Sequence, residues 1–306
     1  MSEGLSDQRP AAADSGILPA DLRHREVRTN GIRLHVAEAG PETAPAVVLL
    51  HGFPEFWYAW KEQIGPLREA GYRVLAVDQR GFNLSDKPRG ISAYRTHHLV
   101  ADVVGLLDAL GLDQVALVAH DWGAHVAWSV AEAHPQRLRK LVILNVAHPQ
   151  VMTRNILFNP RQAVKSWYVF ALQIPYIPEW ILSARDFERV RESIRWRGEK
   201  GSLTASDEQL YVDAWSRDGA FTTMVNWYRG SFWSWPRLAT PPPIRVPTLV
   251  LWGKRDPFLE ESMAQQSVDL CGDARLVTFD EGTHWIHHEV PSAVNKEILA
   301  FLGPPS

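Results

Sequence analysis

The chain has 306 residues, 45% of them hydrophobic and 22% charged, which is enough apolar material to fill a globular core. A formal net charge of −3 gives no electrostatic case for nucleic acid or for an anionic membrane surface. The single cysteine, Cys271, excludes an intrachain disulfide, and no stretch approaches the ~20 continuous apolar residues that span a bilayer.

Residues 1–20 mix Ser, Asp, Gln, Ala and Pro without an apolar run, so they read as a disordered tail and not as a signal peptide. The expected location is therefore the cytoplasm. Ile32 to Ala37 alternates like a half-buried strand. Val47 to Leu50 is a continuous apolar run ending in His51-Gly52-Phe53-Pro54, and Arg73 to Val77 is another, ending at Asp78. Leu99 to Leu110 carries apolar residues at helical spacing and stops at Gly111. Val115 to Ala119 is a third buried strand, followed by a helix from Gly123 to Ala133 that Pro135 closes off; Leu141 to Val146 is a fourth strand. This alternation predicts an α/β fold, a mostly parallel central sheet flanked by helices.

The strand rhythm then stops. Residues 148–240 hold tryptophan-rich helical stretches, and Pro241-Pro242-Pro243 forms a stiff re-entry. Thr248 to Trp252 and Arg275 to Phe279 resume the strands, and Ser292 to Leu302 is a closing helix. The expected organisation is one core, residues 21–147 and 241–306, with a helical lid (cap) inserted at 148–240. The lid's aromatics either line an apolar pocket or form the lid's own core, and the second reading suits most of the tryptophans.

Ala119-His120-Asp121-Trp122-Gly123 sits between a strand and a helix. The small residues two before and two after Asp121 are what a nucleophile elbow needs, because strand and helix backbones approach closely there. Alone, Asp121 reads equally as a helix N-cap. Asp256, after the strand ending at Trp252, and His284, after the strand ending at Phe279, complete a triad in the chain order of α/β-hydrolases. The backbone N–H groups of Phe53 and Trp122 are placed to form an oxyanion hole. His51 reads as a structural residue of its loop, and Phe53-Pro54 is a candidate cis bond.

His51-Gly52-Phe53-Pro54-Glu55, Arg80-Gly81 with Ser85-Asp86-Lys87-Pro88, His120-Asp121-Trp122-Gly123-Ala124 and Gly282-Thr283-His284-Trp285 resemble the α/β-hydrolase-fold epoxide hydrolases, from about Val27 to Leu302. These core motifs are shared with haloalkane dehalogenases. The resemblance implies two lid tyrosines that hydrogen-bond the epoxide oxygen. By position these are Tyr168, five residues before Gln173, and Tyr228 of Asn226-Trp227-Tyr228-Arg229. Leu172 departs from the aromatic common at its place, and Tyr176 is a nearby alternative to Tyr168. Phe53, Trp122 and Trp285 are expected pocket residues.

The implied reaction opens an epoxide to a vicinal diol through an alkyl ester on Asp121, hydrolysed by water that His284 and Asp256 activate. Rivals are a haloalkane dehalogenase and a non-catalytic ligand-binding protein on this fold. Fluoroacetate dehalogenases carry Arg directly after the nucleophile, where Trp122 stands here. The expected partners are a small apolar epoxide and water, with no nucleic acid and no membrane insertion, in a monomer or homodimer. No cofactor and no metal are expected; a metal site on His284, His287 and His288 is discounted because adjacent side chains point apart and no recognised spacing completes it.

Overall fold

The computed structural model describes residues 17–195, 203–232 and 242–305. Most of the 1–20 tail, parts of the lid and Pro241 of the re-entry segment lie outside the described residues. Within that tail, Leu18 packs on the hydrophobic core.

Eight strands form one sheet: β1 (Arg23–Thr29), β2 (Ile32–Ala39), β3 (Ala46–Leu50), β4 (Arg73–Val77), β5 (Val115–His120), β6 (Leu138–Leu144), β7 (Thr248–Gly253) and β8 (Ala274–Phe279). Their spatial order is β1-β2-β4-β3-β5-β6-β7-β8. Only the β1–β2 and β2–β4 pairs are antiparallel. The strands that read as continuous apolar runs are the central ones, covered on both faces and fully buried. Strand β1 escaped the apolar-run reading because it is an edge strand of mostly charged residues. Its signal was Asn30-Gly31, whose φ values of 45° and 76° make the two-residue hairpin turn that this dipeptide favours.

Around the sheet lie α1 (Lys61–Glu69), α2 (Thr96–Ala109) and α3 (Trp122–Ala133). Among the described residues, six helices separate β6 from β7: α4 (Pro149–Phe158), α5 (Pro160–Lys165), α6 (Trp167–Ala171), α7 (Ile177–Ile194), α8 (Ala205–Trp215) and α9 (Ala220–Phe232). Helix α7 is broken by non-helical backbone from Ala184 to Phe187. The chain closes with α10 (Ser262–Val268), α11 (Ile286–Glu289) and α12 (Pro291–Leu302). The mostly parallel sheet with a helical segment inserted between β6 and β7 is the arrangement expected from the sequence.

Polar anchors fix the lid on the core. In α8, Asp207 takes the Lys61 ammonium at 2.8 Å and the Tyr58 hydroxyl at 2.7 Å, and the Trp215 indole donates to the Pro54 carbonyl. In α9, the Trp227 indole donates to the Arg80 carbonyl at 2.9 Å. Arg229 ties the lid to itself: its guanidinium meets Glu179 and the carbonyls of Leu172 and Ile174. The tryptophans divide accordingly. Trp215 and Trp227 are buried, whereas Trp167 and Trp180 stand in solvent.

Strand β6 ends earlier than its apolar run suggests, at Leu144 and not Val146. Asn145 turns out of the strand with φ of 45°, a conformation Asn tolerates better than most residues. That departure aims its side chain at the active site.

Candidate active site

Asp121 occupies the tight turn between β5 and α3 with φ 48° and ψ −123°, outside the ordinary regions for an L-residue. The turn is paid for by small neighbours. A Cβ on Gly123 would lie 2.2 Å from the Leu50 carbonyl oxygen, and a Cβ on Gly52 would lie 2.2 Å from the Asp121 Cβ. The first glycine lets α3 approach β3. The second makes room for the carboxylate itself, a function of the His-Gly pair that motif reading alone did not separate.

The Phe53 amide donates to Asp121 Oδ1 at 2.7 Å, and the following Phe53–Pro54 bond is cis. Trp122 is the first residue of α3, where an amide has no acceptor within its own helix. The Phe53 amide thus meets the carboxylate, and the Trp122 amide, the other expected donor, follows Asp121 directly at the start of α3. His51 fastens the same loop: it accepts from the Gln79 amide and its other ring nitrogen meets the Gly52 carbonyl.

His284 Nε2 lies 3.5 Å from Asp121 Oδ2, and its Nδ1 lies 2.7 Å from Asp256 Oδ2. The three expected residues therefore meet, although 28 residues separate Asp256 from His284 and the strand ends differ. Asp256 Oδ1 accepts from the amides of Phe258 and Leu259, at 2.8 and 2.9 Å. Asn145 donates to Oδ2 at 2.9 Å and accepts from the Gly253 amide at 3.1 Å. Sequence reading passed over Asn145, and a lone polar residue closing a buried apolar run was its only signal. Asn145→Ala leaves Asp256 short of a donor and the Gly253 amide without an acceptor. The expected loss is about 1–3 kcal/mol of stability, and a roughly 10–100-fold fall in turnover as the imidazole loses its fixed partner. Thermal unfolding and steady-state kinetics read the two effects.

The electrostatics pull the pair apart. Burial by itself would raise the Asp121 carboxyl's pKa, but the hydrogen bond and charge of His284, then His120 and the Phe53 amide, hold it below the usual value. Burial would lower the His284 imidazole, yet the charge of Asp256, with hydrogen bonds to both carboxylates and the Asp121 charge, lifts it to about 10. The free site is thus an ionised carboxylate beside an imidazolium.

A cavity of about 90 Å³ opens over Asp121, walled chiefly by Trp122, Met152, Ile156, Tyr168, Tyr228 and Phe258. Tyr168 and Tyr228 stand edge to face with ring centres 6.0 Å apart. Burial, reinforced by the Asp121 charge, pushes both phenols above their ordinary pKa, so both keep their protons. Tyr176, the alternative to Tyr168, is 84% exposed and walls nothing. Two expected pocket residues are displaced. Trp285 is buried behind the site, edge-on to His284 at 5.0 Å, and Phe53 presses on the Tyr228 ring at 5.3 Å without walling the cavity.

Beneath the site, Glu55, His120 and His287 bring potential ligand atoms within 4.8 Å of one another. Glu55 and His120 have further partners, whereas the buried ring nitrogens of His287 accept or donate no hydrogen bond among the described residues, its Nε2 lying 3.4 Å from Glu55 Oε2. Glu55 Oε1 accepts from Tyr211 at 3.1 Å and meets His288 Nε2 at 2.7 Å. His120 bridges Glu55 Oε2 at 3.2 Å and the His284 carbonyl at 2.9 Å. The group is a polar floor fixing the His284 backbone. His287 and His288 thus turn to Glu55, away from the His284 ring.

The family model for the alpha/beta hydrolase fold matches residues 45–291. Over 280 residues the chain is 44% identical to the AB hydrolase superfamily protein YfhM of Bacillus subtilis (strain 168), covering 90% of this chain and 96% of that protein. It is 36% identical to human epoxide hydrolase 4 over 90% of this chain and 77% of the relative, and 35% identical to epoxide hydrolase A of Mycobacterium tuberculosis over 91% and 96%. Among solved structures, a Bacillus megaterium epoxide hydrolase in complex with an inhibitor superposes with a TM-score of 0.84 at 28% identity, over 91% of this chain and 99% of that one.

Proposed function

The chain belongs to the epoxide hydrolases of the α/β-hydrolase fold, and from that premise we propose that Asp121 opens the ring by forming a covalent ester. What carries this reading is one arrangement: an ionised carboxylate at the floor of a cavity whose walls hold two neutral phenols.

A carboxylate needs no base to attack. Asp121 displaces at a ring carbon, the C–O bond breaks, and the departing oxygen takes hydrogen bonds and a proton from Tyr168 and Tyr228. Asp121 has then lost its charge, and with it part of what holds the proton on His284. The imidazolium gives that proton up, restoring the tyrosine. Neutral His284 next draws a proton from water as the oxygen attacks the ester carbonyl, while Asp256 steadies the charged ring. The Phe53 and Trp122 amides hold the tetrahedral oxyanion. Collapse frees the diol and regenerates the Asp121 carboxylate. In this scheme residues 21–147 and 241–306 are the catalytic core and 148–240 the cap.

The same nucleophile would suit a haloalkane dehalogenase, which needs donors for a leaving halide. Here the Trp122 ring packs edge to face on Tyr228 at 4.9 Å, and the cavity over the carboxylate is walled by two phenols. A single-turnover reaction in heavy-oxygen water tests the covalent step. The label is expected in the Asp121 carboxylate and not in the first diol; label going straight into the diol would mean direct attack by water.

A further inference from the structure

Helix α4 has two apolar faces, and the chain covers one of them. Met152, Thr153 and Ile156 wall the active-site cavity. On the other side of the same helix, Leu157 and Phe158 are 52% and 69% exposed, beside Arg154. Helix α6 repeats the division: Tyr168 and Val169 face the cavity, while Trp167 is 68% exposed. Val164 in α5, Tyr176 and Trp180 add further large side chains at 73%, 84% and 75%. Single exposed apolar residues are ordinary, but this many bulky ones on consecutive helices mark an interaction surface.

The charge around them is one-sided. From Pro149 to Leu182 the cations are Arg154, Arg161 and Lys165, and the one acid, Glu179, is taken by Arg229. Lys165 is matched by Glu260 at 2.9 Å, whereas Arg154 and Arg161 have no carboxylate partner among the described residues. The whole chain carries −3, so the basic character is local. A second copy seated by twofold symmetry would set these arginines near their own equivalents, with the segment's one acid, Glu179, already taken by Arg229. An anionic surface would match them.

We propose that this face, from α4 to the first turns of α7 before its break at Ala184, docks on an anionic phospholipid bilayer, with the helices that wall the active-site cavity lying against the lipid. Tryptophan and tyrosine favour the headgroup level, and cations beside them add attraction to acidic lipids. The contact is peripheral: α4, α5 and α6 have 10, 6 and 5 residues, and no helix among the described residues is long and apolar enough to cross a membrane. Docking would let lipid-dissolved epoxides reach Asp121 without crossing water. That consequence rests on the epoxide-hydrolase reading; the docking itself does not.

Flotation of the full chain on vesicles of phosphatidylcholine, alone or with about 30% phosphatidylserine, tests it. At roughly 0.1 M salt the serine-lipid vesicles should carry at least about tenfold more protein, and roughly 0.5 M salt should erase the preference. Phe158→Glu/Trp180→Glu should lose flotation about tenfold while keeping turnover of a small water-soluble epoxide. Arg154→Glu/Arg161→Glu should lose only the serine-lipid preference. No flotation on either vesicle, or unchanged flotation of the first double variant, overturns the proposal. So does a dimer that this variant splits without any vesicle binding, since a second copy then covers the face. Absence of epoxide turnover in a protein that still floats would sink the catalytic reading and leave docking standing.

Discussion

His284→Gln enzyme mixed with an epoxide should gain the mass of one substrate molecule on Asp121 and then stop. The separation of roles behind this result is physical. Asp121 is ionised without help and its Oδ1 is already held by the Phe53 amide at 2.7 Å, so the first step does not need the imidazole as a base. The second step does, because water near neutral pH is a poor nucleophile toward an ester. Steady-state turnover should fall on the order of 10³-fold, while ester formation stays within about tenfold of normal. The substitution also removes the group that contributes most to holding the Asp121 carboxyl below its usual pKa. With that support gone the folded-state pKa rises, so the pH below which alkylation fails should move upward in the variant. Intact-protein mass spectrometry followed by peptide mapping reads the adduct and its position. A variant that binds substrate and never acquires the adduct would refute the covalent scheme.

Replacing both lid phenols should abolish ring opening, whereas replacing one should only slow it. The leaving oxygen develops a full negative charge inside a cavity with largely apolar walls, where hydrogen-bond donors act more strongly than in water. Tyr168 and Tyr228 both face that space, so the partner of a lost hydroxyl can still donate. Each single Tyr→Phe change should cost roughly 10–100-fold in kcat, and the double change more than about 10³-fold. The ring-opening step measured by single turnover is the one that must slow, since the phenols have no part in hydrolysing the ester. Packing is largely retained because phenylalanine keeps the ring contacts, including the edge-to-face pair. Full activity in the double variant would show that the donors lie elsewhere.

The triad was legible because each member closes a strand, and strand ends on one edge of a parallel sheet converge whatever their separation in sequence. Asp121, Asp256 and His284 follow β5, β7 and β8, and the register of those strands brings them together. Trp285 was misplaced because an aromatic next to a catalytic residue need not share its direction. Its ring is turned behind His284, into the core, and not into the cavity. The lid was legible as helical and aromatic, but not as to which aromatics would be buried. Trp215 and Trp227 found carbonyl acceptors on the core, and Trp167 and Trp180 stayed outside.

The sequence by itself determined the alternation of strands and helices, the elbow and the order of its partners, since these follow from local periodicity and from the small residues the turn requires. Tertiary structure alone decided what surrounds Asp121. Asn145 leaves its strand in a left-handed turn to hold Asp256, and Glu55 gathers three histidines from distant segments beneath the site. One side of α4 becomes cavity wall while the other is left in solvent. No periodicity encodes these choices. They depend on which groups meet across long stretches of chain, and the direction a side chain takes is set by the neighbours that packing supplies.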